Sequence, residues 1–303
     1  MKVLIGYDGS ECGKAAIADL ARAGLPADSQ IKIVTVADVY MPPAEESNTG
    51  WNMPLVARSR ELARHAITAA RDLAADAAEQ VRGLGVWEVS YDAVADSPAW
   101  GLVKIADDWG PDLIIVGSQG KSMLHRLALG SVSIQVLTHA SCSVRVARTG
   151  FQHRADRRQG DPARLLIGID GSTGSAIAVD AVTLRNWPSG SEAVVMMVLD
   201  MRTATSLLEN ATDSDKDVHK HAEKIAEQVC EDLRAAGLSA TPVVVDGDVR
   251  DILAVEAERR NVDCIFLGAK GQSMIQRFLL GSVSSAVAAR SGCSVEVVRF
   301  PAS

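Results

Sequence analysis

The chain carries one spaced glycine pattern twice, and this duplication constrains its fold more than any other sequence feature. Each copy has two glycines and, further along, a Gly-Ser pair, at Gly117, Gly120, Gly130 and Ser131 and again at Gly268, Gly271, Gly281 and Ser282. A short apolar run precedes the first glycine of each copy, and a helix-like segment begins at the last one. Each copy therefore predicts a strand, a loop and a helix N-terminus.

Glycines in such a loop favour anion binding. Glycine allows positive φ and has no Cβ, so the loop can bring its backbone N–H groups close to a ligand. The helix that follows adds unpaired first-turn N–H groups and the positive end of its dipole. The sequence therefore predicts two phosphate-binding loops.

The repeat extends beyond the glycines to most of the chain. Asp8 and Asp170 each end an apolar run and precede Gly-Ser. The copies lie 151 residues apart from the loop onward but 162 residues apart at these aspartates, so the second copy is shorter in its middle. A repeat of about 150 residues has the size of a whole domain. We place the domains at 1–149 and 162–303, with the polar and basic segment 150–161 as an exposed linker.

Strands and helices are predicted to alternate in both domains. In the first domain the patterns predict helices over 11–23, 58–84, 98–109 and 131–139 and five strands around them. In the long helix one apolar face is predicted from Leu62, Ala66, Ala69, Leu73, Ala77, Val81 and Leu84. Alternation implies parallel strands joined by right-handed crossovers, and continuous apolar strands imply burial on both sides. The predicted fold is α/β, with two tandem open parallel five-stranded sheets covered by helices on both faces.

Composition narrows the classes of partner. The net charge is −7 and aromatic residues make up only 4% of the chain. Nucleic-acid binding uses basic patches and aromatic stacking platforms, so we expect no nucleic-acid partner for this acidic chain. No apolar stretch approaches the roughly 20 residues of a membrane span. The N-terminus leads directly into a strand, which leaves no room for a signal peptide, and we expect a cytoplasmic protein without membrane association.

Neither the cysteines nor the one segment rich in Asp and His has the pattern of a metal or disulfide site. Five cysteines without a CxxC pair argue against a disulfide framework and a zinc site, so buried hydrophobic roles are expected. The segment 213–221 is rich in Asp and His, but Val218 and Lys224 stand where an EF-hand needs Gly and Glu. We predict no metal site and a loop that enters a helix.

Both halves resemble the ATP-binding branch of the universal stress protein family, in tandem form. The signature of that branch is Gly-x2-Gly-x9-Gly-(Ser/Thr), and both copies satisfy it. The family's aspartate before Gly-Ser is present, as are the cysteines that open the final strands, Cys142 and Cys293. The chain departs from the family at Ser143 and Ser294, where proline is usual, a change that concerns the final strand and not the loop.

The resemblance implies a Rossmann-like sheet of order 3-2-1-4-5 with a ligand at its switch point. Gly117 and Gly268 would border that crevice, with Asp8 and Asp170 near ribose and adenine. Val36 and Val198 would offer backbone groups to the base. The phosphates would be held by Gly120, Gly130, Ser131 and Val132 in the first half and by Gly271, Gly281, Ser282 and Val283 in the second. The implied ligand is ATP, with AMP or ADP as alternatives and Mg²⁺ as an accompanying ion.

Simpler roles compete for several of these residues. Asp8 and Asp170 also fit Asx turns, and Ser131 and Ser282 also fit helix N-caps. Four cations are either solvated loop charges or phosphate partners, namely Lys121, Arg126, Lys270 and Arg277.

No catalytic pattern recurs in the two halves. There is no GxxxxGK(S/T) loop and no repeated Ser–His pair, and His125 has Gln276 at its repeat position. We therefore expect a stress-response sensor or regulatory module with two nucleotide sites and, at most, slow ATP hydrolysis. The alternatives are a nucleotide-independent dimerisation scaffold and a true ATPase or nucleotidyl-transferring enzyme.

Universal stress protein domains commonly pair through their final strands, so the resemblance implies that the two final strands of this chain pair with each other through 144–146 and 295–297. A strand at a sheet edge exposes unpaired N–H and C=O groups, which favour association. Arg145 and Glu296 occupy equivalent positions with opposite charge, so their pairing favours the two different domains over two identical ones. We expect an intramolecular pseudo-twofold dimer, with other surfaces left for any homodimer.

Overall fold

The structure is a computed structural model that describes residues 1–40, 53–120, 129–148, 160–200, 203–205, 207, 217–270 and 280–300. Several residues singled out in the sequence lie outside these ranges, namely Gly271, Lys121, Arg126, Arg277 and residues 150–159 of the linker.

The described residues form two equivalent sets of strands and helices. The first set comprises β1 (Lys2–Gly6), α1 (Glu11–Asp19), β2 (Gln30–Ala37), α2 (Met53–Arg82), β3 (Glu88–Ala95), α3 (Pro98–Trp109), β4 (Leu113–Gly117), α4 (Ser131–His139) and β5 (Ser143–Ala147). The second comprises β6 (Arg164–Ile169), α5 (Thr173–Thr183), β7 (Glu192–Leu199), α6 (Val218–Ala235), β8 (Ser239–Asp246), α7 (Val249–Arg259), β9 (Cys264–Gly268), α8 (Ser282–Arg290) and β10 (Ser294–Val298). A single 3₁₀ turn, Leu20–Arg22, follows α1.

All ten strands belong to one sheet of order β3-β2-β1-β4-β5-β10-β9-β6-β7-β8. Within each half the strands are parallel and follow the predicted order 3-2-1-4-5, which is confirmed. The two predicted five-stranded sheets are joined because β5 and β10 pair in antiparallel fashion.

The pairing of β5 with β10 confirms the prediction made for the final strands. Arg145 lies opposite Glu296 in the register, between two valine pairs. The Arg145 Nη1 atom lies 3.2 Å from Glu296 Oε2, and both side chains are fully buried. The cross-strand ion pair predicted from the sequence is therefore present at the centre of the domain interface.

Two further charged residues, which the sequence did not reveal, complete an interface ion cluster of Asp19, Arg145, Arg185 and Glu296. Asp19 of α1 accepts a hydrogen bond from Arg145 Nε at 2.5 Å, and Arg185 Nη1 donates to Glu296 Oε2 at 2.9 Å. Burial by itself lowers the pKa of Arg145, but the carboxylates of Asp19 and Glu296 outweigh it and raise that pKa well above its ordinary value. The cluster holds two acids and two bases in the interior.

The apolar core lies on both faces of the sheet, as continuous apolar strands require. On β1, Leu4 belongs to the cluster on one face, whereas Val3 and Ile5 belong to the cluster on the other. The cluster around Leu4 continues through β5 and β10 to Leu166 in the second domain. None of the described helices combines the length and apolarity needed to cross a bilayer.

The buried face predicted for α2 is partly wrong. Ala77 and Val81 are buried as predicted, but Leu62 is 61% exposed. Alanines not included in the predicted face, such as Ala63 and Ala74, lie in the interior instead. Small side chains let α2 pack close to strands β2 and β3. The buried stripe of this helix therefore consists mainly of alanine, and the larger Leu62 is exposed.

Candidate functional site

A cavity of about 430 Å³ opens in the second domain at the carboxyl ends of β6, β7 and β9. The strand order reverses between β6 and β9, so the cavity occupies the switch point of this half of the sheet. Its lining includes every described residue that the sequence predicted for this site, namely Asp170, Val198, Gly268, Gly281, Ser282 and Val283.

The N-terminus of α8 faces this cavity without a side-chain cap. Its N-cap residue is Gly281, which has no side chain to cap the helix. The N-cap residue of α4 is likewise a glycine, Gly130. The N-cap alternative for Ser131 and Ser282 is therefore wrong, because both are the first helical residues. First-turn N–H groups that no side chain caps can be used by a ligand.

One backbone hydrogen bond, equivalent in the two domains, joins the two ends of each glycine loop. The N–H of Gly130 donates to the carbonyl of Ser118 at 2.8 Å, and the N–H of Gly281 donates to that of Ala269 at 2.7 Å. The last glycine of the pattern is thus fixed next to the end of the strand that begins the loop.

In each domain one serine that the sequence analysis did not single out bonds the helix to its strand. Ser133 Oγ donates to the carbonyl of Gly117 at 2.7 Å, and Ser284 Oγ donates to that of Gly268 at the same distance. Both copies contain Gly-Ser-Val-Ser, so the second serine of this repeated tetrapeptide was the available signal.

The first glycine of each loop is needed for close packing and not for positive φ. Among the described residues, none of these loop glycines has positive φ, so that expectation is wrong. A Cβ on Gly117 would lie 2.5 Å from the carbonyl oxygen of Cys12, and one on Gly268 would lie 2.3 Å from that of Gly174. The absence of a side chain lets the first turn of α1 or α5 pack directly on the strand end.

Positive φ occurs instead in the Asp-Gly-Ser turns, at Gly9 and Gly171. Asp170 Oδ1 accepts hydrogen bonds from the N–H and the hydroxyl of Ser172, at 3.0 and 2.5 Å. Asp8 makes the same two contacts, at 3.0 and 2.6 Å, in the first domain. The Asx-turn role is therefore confirmed for both aspartates.

This turn leaves both aspartates beside the candidate sites. Asp170 lines the cavity of the second domain. In the first domain, a Cβ on Gly120 would lie 3.2 Å from Asp8 Oδ2, so the carboxylate borders the glycine loop. The Asx turn orients each aspartate and is compatible with a ligand role.

Val36 and Val198 lie near the carboxyl ends of their strands, as predicted. The carbonyl of Val34 accepts a hydrogen bond from Tyr7 N at 2.9 Å, just beyond the end of β1. Backbone groups of alternate strand residues point to the same side. Val36 therefore directs its N–H and C=O toward the crevice beyond β1, and Val198 lines the equivalent cavity.

Charged side chains of both signs surround the cavity. Lys270 and Arg250 supply positive charge, and Asp170, Asp200 and Asp248 supply negative charge. Two of these carboxylates hold local backbone, since Asp248 accepts from the N–H of Arg250 and Asp200 from that of Thr203. The repeat positions of Lys270 and Arg250 carry uncharged residues, Gln119 and Ala99, so the two candidate sites are not identical.

The cavity also has apolar walls, opposite in character to the polar loop. They include Met196, Leu253 and Leu267. A ligand that suits this lining has an apolar part against the strand ends and an anionic part at the glycine loop and helix N-terminus. The arrangement offers binding groups for a small, negatively charged molecule.

Four of the five cysteines are buried, and Cys12 is partly exposed. Burial raises the pKa of the Cys142 thiol to about 12, as expected of a thiol with a packing role. Within the described ranges no three His, Cys, Asp or Glu side chains are grouped closely enough to hold a metal ion. Asp217 caps α6 by accepting from the N–H of Lys220, which confirms the predicted helix start, whereas residues 213–216 lie outside the described ranges.

The universal stress protein family model matches residues 1–148 and 163–299. A universal stress protein of Mycobacterium tuberculosis is 26% identical over 312 aligned positions, which cover 94% of this chain and 92% of the relative. Another, from Mycolicibacterium smegmatis, is 31% identical over 199 positions, covering 61% of this chain and 63% of the relative.

Among solved structures, a universal stress protein from Archaeoglobus fulgidus superposes with a TM-score of 0.61. It is 20% identical in sequence, and the match covers 99% of this chain and 96% of the other. At this level of identity the similarity shows a shared fold.

Proposed function

We propose, for a chain that belongs to the universal stress protein family, that each of its two domains binds an adenine nucleotide and that the protein is a nucleotide-responsive regulatory module. The observation that carries the proposal is the cavity of about 430 Å³ lined by the repeated motif residues and the uncapped N-terminus of α8. Small-molecule pockets have volumes of roughly 300–1,000 Å³, so the size suits one nucleotide.

Each part of the nucleotide has a chemically matched partner in this arrangement. The N–H groups of Ser282 and Val283 and the cation of Lys270 suit the phosphates, because anions bind at helix N-termini and beside charged donors. The backbone of Val198 suits the edge of the base. We assign ATP as the main ligand, with ADP and AMP as competitors and Mg²⁺ as an accompanying ion.

The first domain supports a second site through the same local geometry. Its Asp8 turn, its loop closure at Gly130 and the uncapped start of α4 repeat those of the second domain. ATP that binds the folded state in this way couples the cellular nucleotide level to conformation or partner choice.

Isothermal titration of nucleotide-free protein with ATP, ADP and AMP, with and without Mg²⁺, tests the proposal. We expect two sites per chain. Protein that binds no nucleotide and shows no ATP-dependent shift in Tm would favour the scaffold alternative. Rapid multiple turnover of ATP would favour the enzyme alternative.

Aspartate substitutions at the last loop glycines assign each site. A Cβ on Gly130 would lie 3.3 Å from Gln119 Cα, and one on Gly281 would lie 3.0 Å from the Ala269 oxygen. We expect Gly130→Asp and Gly281→Asp each to reduce the stoichiometry to one, because a carboxylate would repel phosphate there. The matched alanine variants separate the steric effect from the charge. Unchanged stoichiometry in an aspartate variant with native circular dichroism would refute the phosphate assignment.

A further inference from the structure

Two arginines that directly follow the central strands cross from one domain into the other. Arg148, after β5, donates from Nη2 to the carbonyls of Ala288 and Ala289 at 2.9 and 3.0 Å, near the end of α8. Arg299, after β10, donates to the carbonyl of Leu137 near the end of α4. Each arginine thus holds the C-terminal end of the helix whose N-terminus borders the other domain's site.

The backbone of each arginine is also bound to the opposite domain. Arg148 N donates to Ser294 Oγ at 3.3 Å, and Arg299 N donates to Ser143 Oγ at 3.1 Å. These serines stand where the family usually has proline, whose side chain has no hydroxyl group to accept such a bond. The departure from the family pattern therefore creates a second cross-domain contact at each arginine.

The residue before each arginine holds the glycine loop of its own domain. The carbonyl of Ala147 accepts from Ser118 N at 3.0 Å, and the carbonyl of Val298 accepts from Ala269 N at 2.8 Å. Ser118 and Ala269 directly follow the first glycine of each loop. A dipeptide at the end of β5 thus contacts the loop of one site through its backbone and the helix of the other site through its arginine.

These contacts suit the transmission of small displacements. The last carbonyls of a helix lack partners within it, and a cation that binds them also interacts favourably with the helix dipole. Arg148 is buried and Arg299 is partly buried, and burial lowers the pKa of both from the ordinary value. Hydrogen bonds in such surroundings are stronger than in water. Each of these helices has nine residues, so only about two and a half turns separate the N-terminus at the site from the end that the arginine binds.

We propose that Arg148 and Arg299 couple the two nucleotide sites, so that a nucleotide in one domain strengthens binding in the other. The proposal rests on the proposed function, because it concerns the regulation of the same sites. A nucleotide that restrains the helix of one site at its N-terminus also restrains, through the arginine at the other end of that helix, the strand end beside the other site. The second nucleotide then loses less conformational entropy on binding, because part of its own site is already restrained. Coupling between sites is reciprocal, so the effect is the same whichever domain is filled first.

A thermodynamic cycle on the full-length chain measures this coupling. ATP titration of Gly281→Asp gives the affinity of the first site alone, and titration of Gly130→Asp gives that of the second. The coupling factor is a ratio of association constants. Its numerator is the product of the two stepwise association constants of the wild type, and its denominator is the product of the two single-site association constants from the variants. We expect a factor of about five or more, at the lower end of measured allosteric couplings.

The arginine variants test the route. In an Arg148→Gln, Arg299→Gln background the same cycle should give a coupling factor close to one, with each single-site affinity unchanged. Ser143→Ala keeps both arginines and should reduce the factor by removing the backbone contact of Arg299. Arg259→Gln, at the exposed end of α7, is the matched control and should leave the factor at its wild-type value.

The outcomes distinguish this proposal from the one on which it rests. Wild-type protein that binds no ATP overturns the proposed function and the coupling with it. Two sites that fill independently in the wild type overturn the coupling alone, without any arginine variant having to fold. Coupling that persists in the arginine double variant overturns the assigned route.

Discussion

At the scale of single residues, Lys270 distinguishes the two candidate sites. It lines the cavity beside the helix N-terminus, and its repeat position in the first domain is Gln119. Its backbone packs closely against α5, because a Cβ on Gly174 would lie only 1.8 Å from its carbonyl oxygen. A change of the side chain therefore alters the charge of the site while the tight packing of the loop remains.

We expect Lys270→Gln to weaken ATP binding at the second site about tenfold, which corresponds to about 1.4 kcal/mol for the loss of one charge-assisted contact. Titration in the Gly130→Asp background isolates this site, and the effect should shrink at high salt because screening weakens the contact. Lys220→Gln, at a lysine 78% exposed on α6, is the control and should change nothing. Equal affinities in the lysine variants would show that Lys270 does not contact phosphate.

At the scale of elements, the interface ion cluster lies where β5 pairs with β10. Glu296 accepts hydrogen bonds from both Arg145 and Arg185. Asp19 is held in turn by the hydroxyl of Ser294, which donates to Oδ1 at 3.0 Å. Loss of one member leaves a buried charge without its partner, which costs more than the intact pair contributes.

We expect Glu296→Gln to lower the free energy of unfolding by about 3–5 kcal/mol, the range for breaking a buried ion pair. Urea denaturation followed by circular dichroism measures it. The control is Glu79→Gln, which removes a 74% exposed carboxylate paired with Arg82 and should cost less than about 1 kcal/mol. Similar losses in the two variants would mean that the cluster does not stabilise the interface.

At the scale of the whole molecule, the chain contains both halves of a dimer. The ten-stranded sheet and one apolar cluster run without interruption across the domain boundary. In a pair of identical first domains with this register, Arg145 would oppose Arg145, and in a pair of second domains Glu296 would oppose Glu296. Like charges directly opposite each other destabilise a strand pair, so the hetero-pairing is favoured.

We expect the separately expressed segments 1–149 and 162–303 to form a heterodimer in preference to either homodimer. Size-exclusion chromatography with light scattering on the mixed and the single segments measures this. Glu296→Arg in the second segment should abolish the preference, because it places another cation beside Arg145 and Arg185. Two monomers that do not associate on mixing would contradict the expectation.

Local sequence patterns determined the repeat, the element order and most of the candidate site. The bounds of α3 and α4 agree with prediction because each begins and ends at a local signal, such as Pro98 or Gly130. Residues that lie at the carboxyl ends of parallel strands converge by topology, which is why Asp170 and Val198 meet in one cavity. The pairing of Arg145 with Glu296 was predictable because the repeat places them at equivalent positions.

The tertiary structure alone decided features that depend on distant segments. Asp19 and Arg185 join the interface ion cluster, but their repeat counterparts are Ala181 and Ala23, so the duplication gave no signal for them. The buried stripe of α2 followed close packing of alanines and not the largest side chains. The crossing of Arg148 and Arg299 between domains likewise depends on how the two sheets join. Sequence periodicity records short-range geometry, whereas these contacts arise only after two remote surfaces have been brought together.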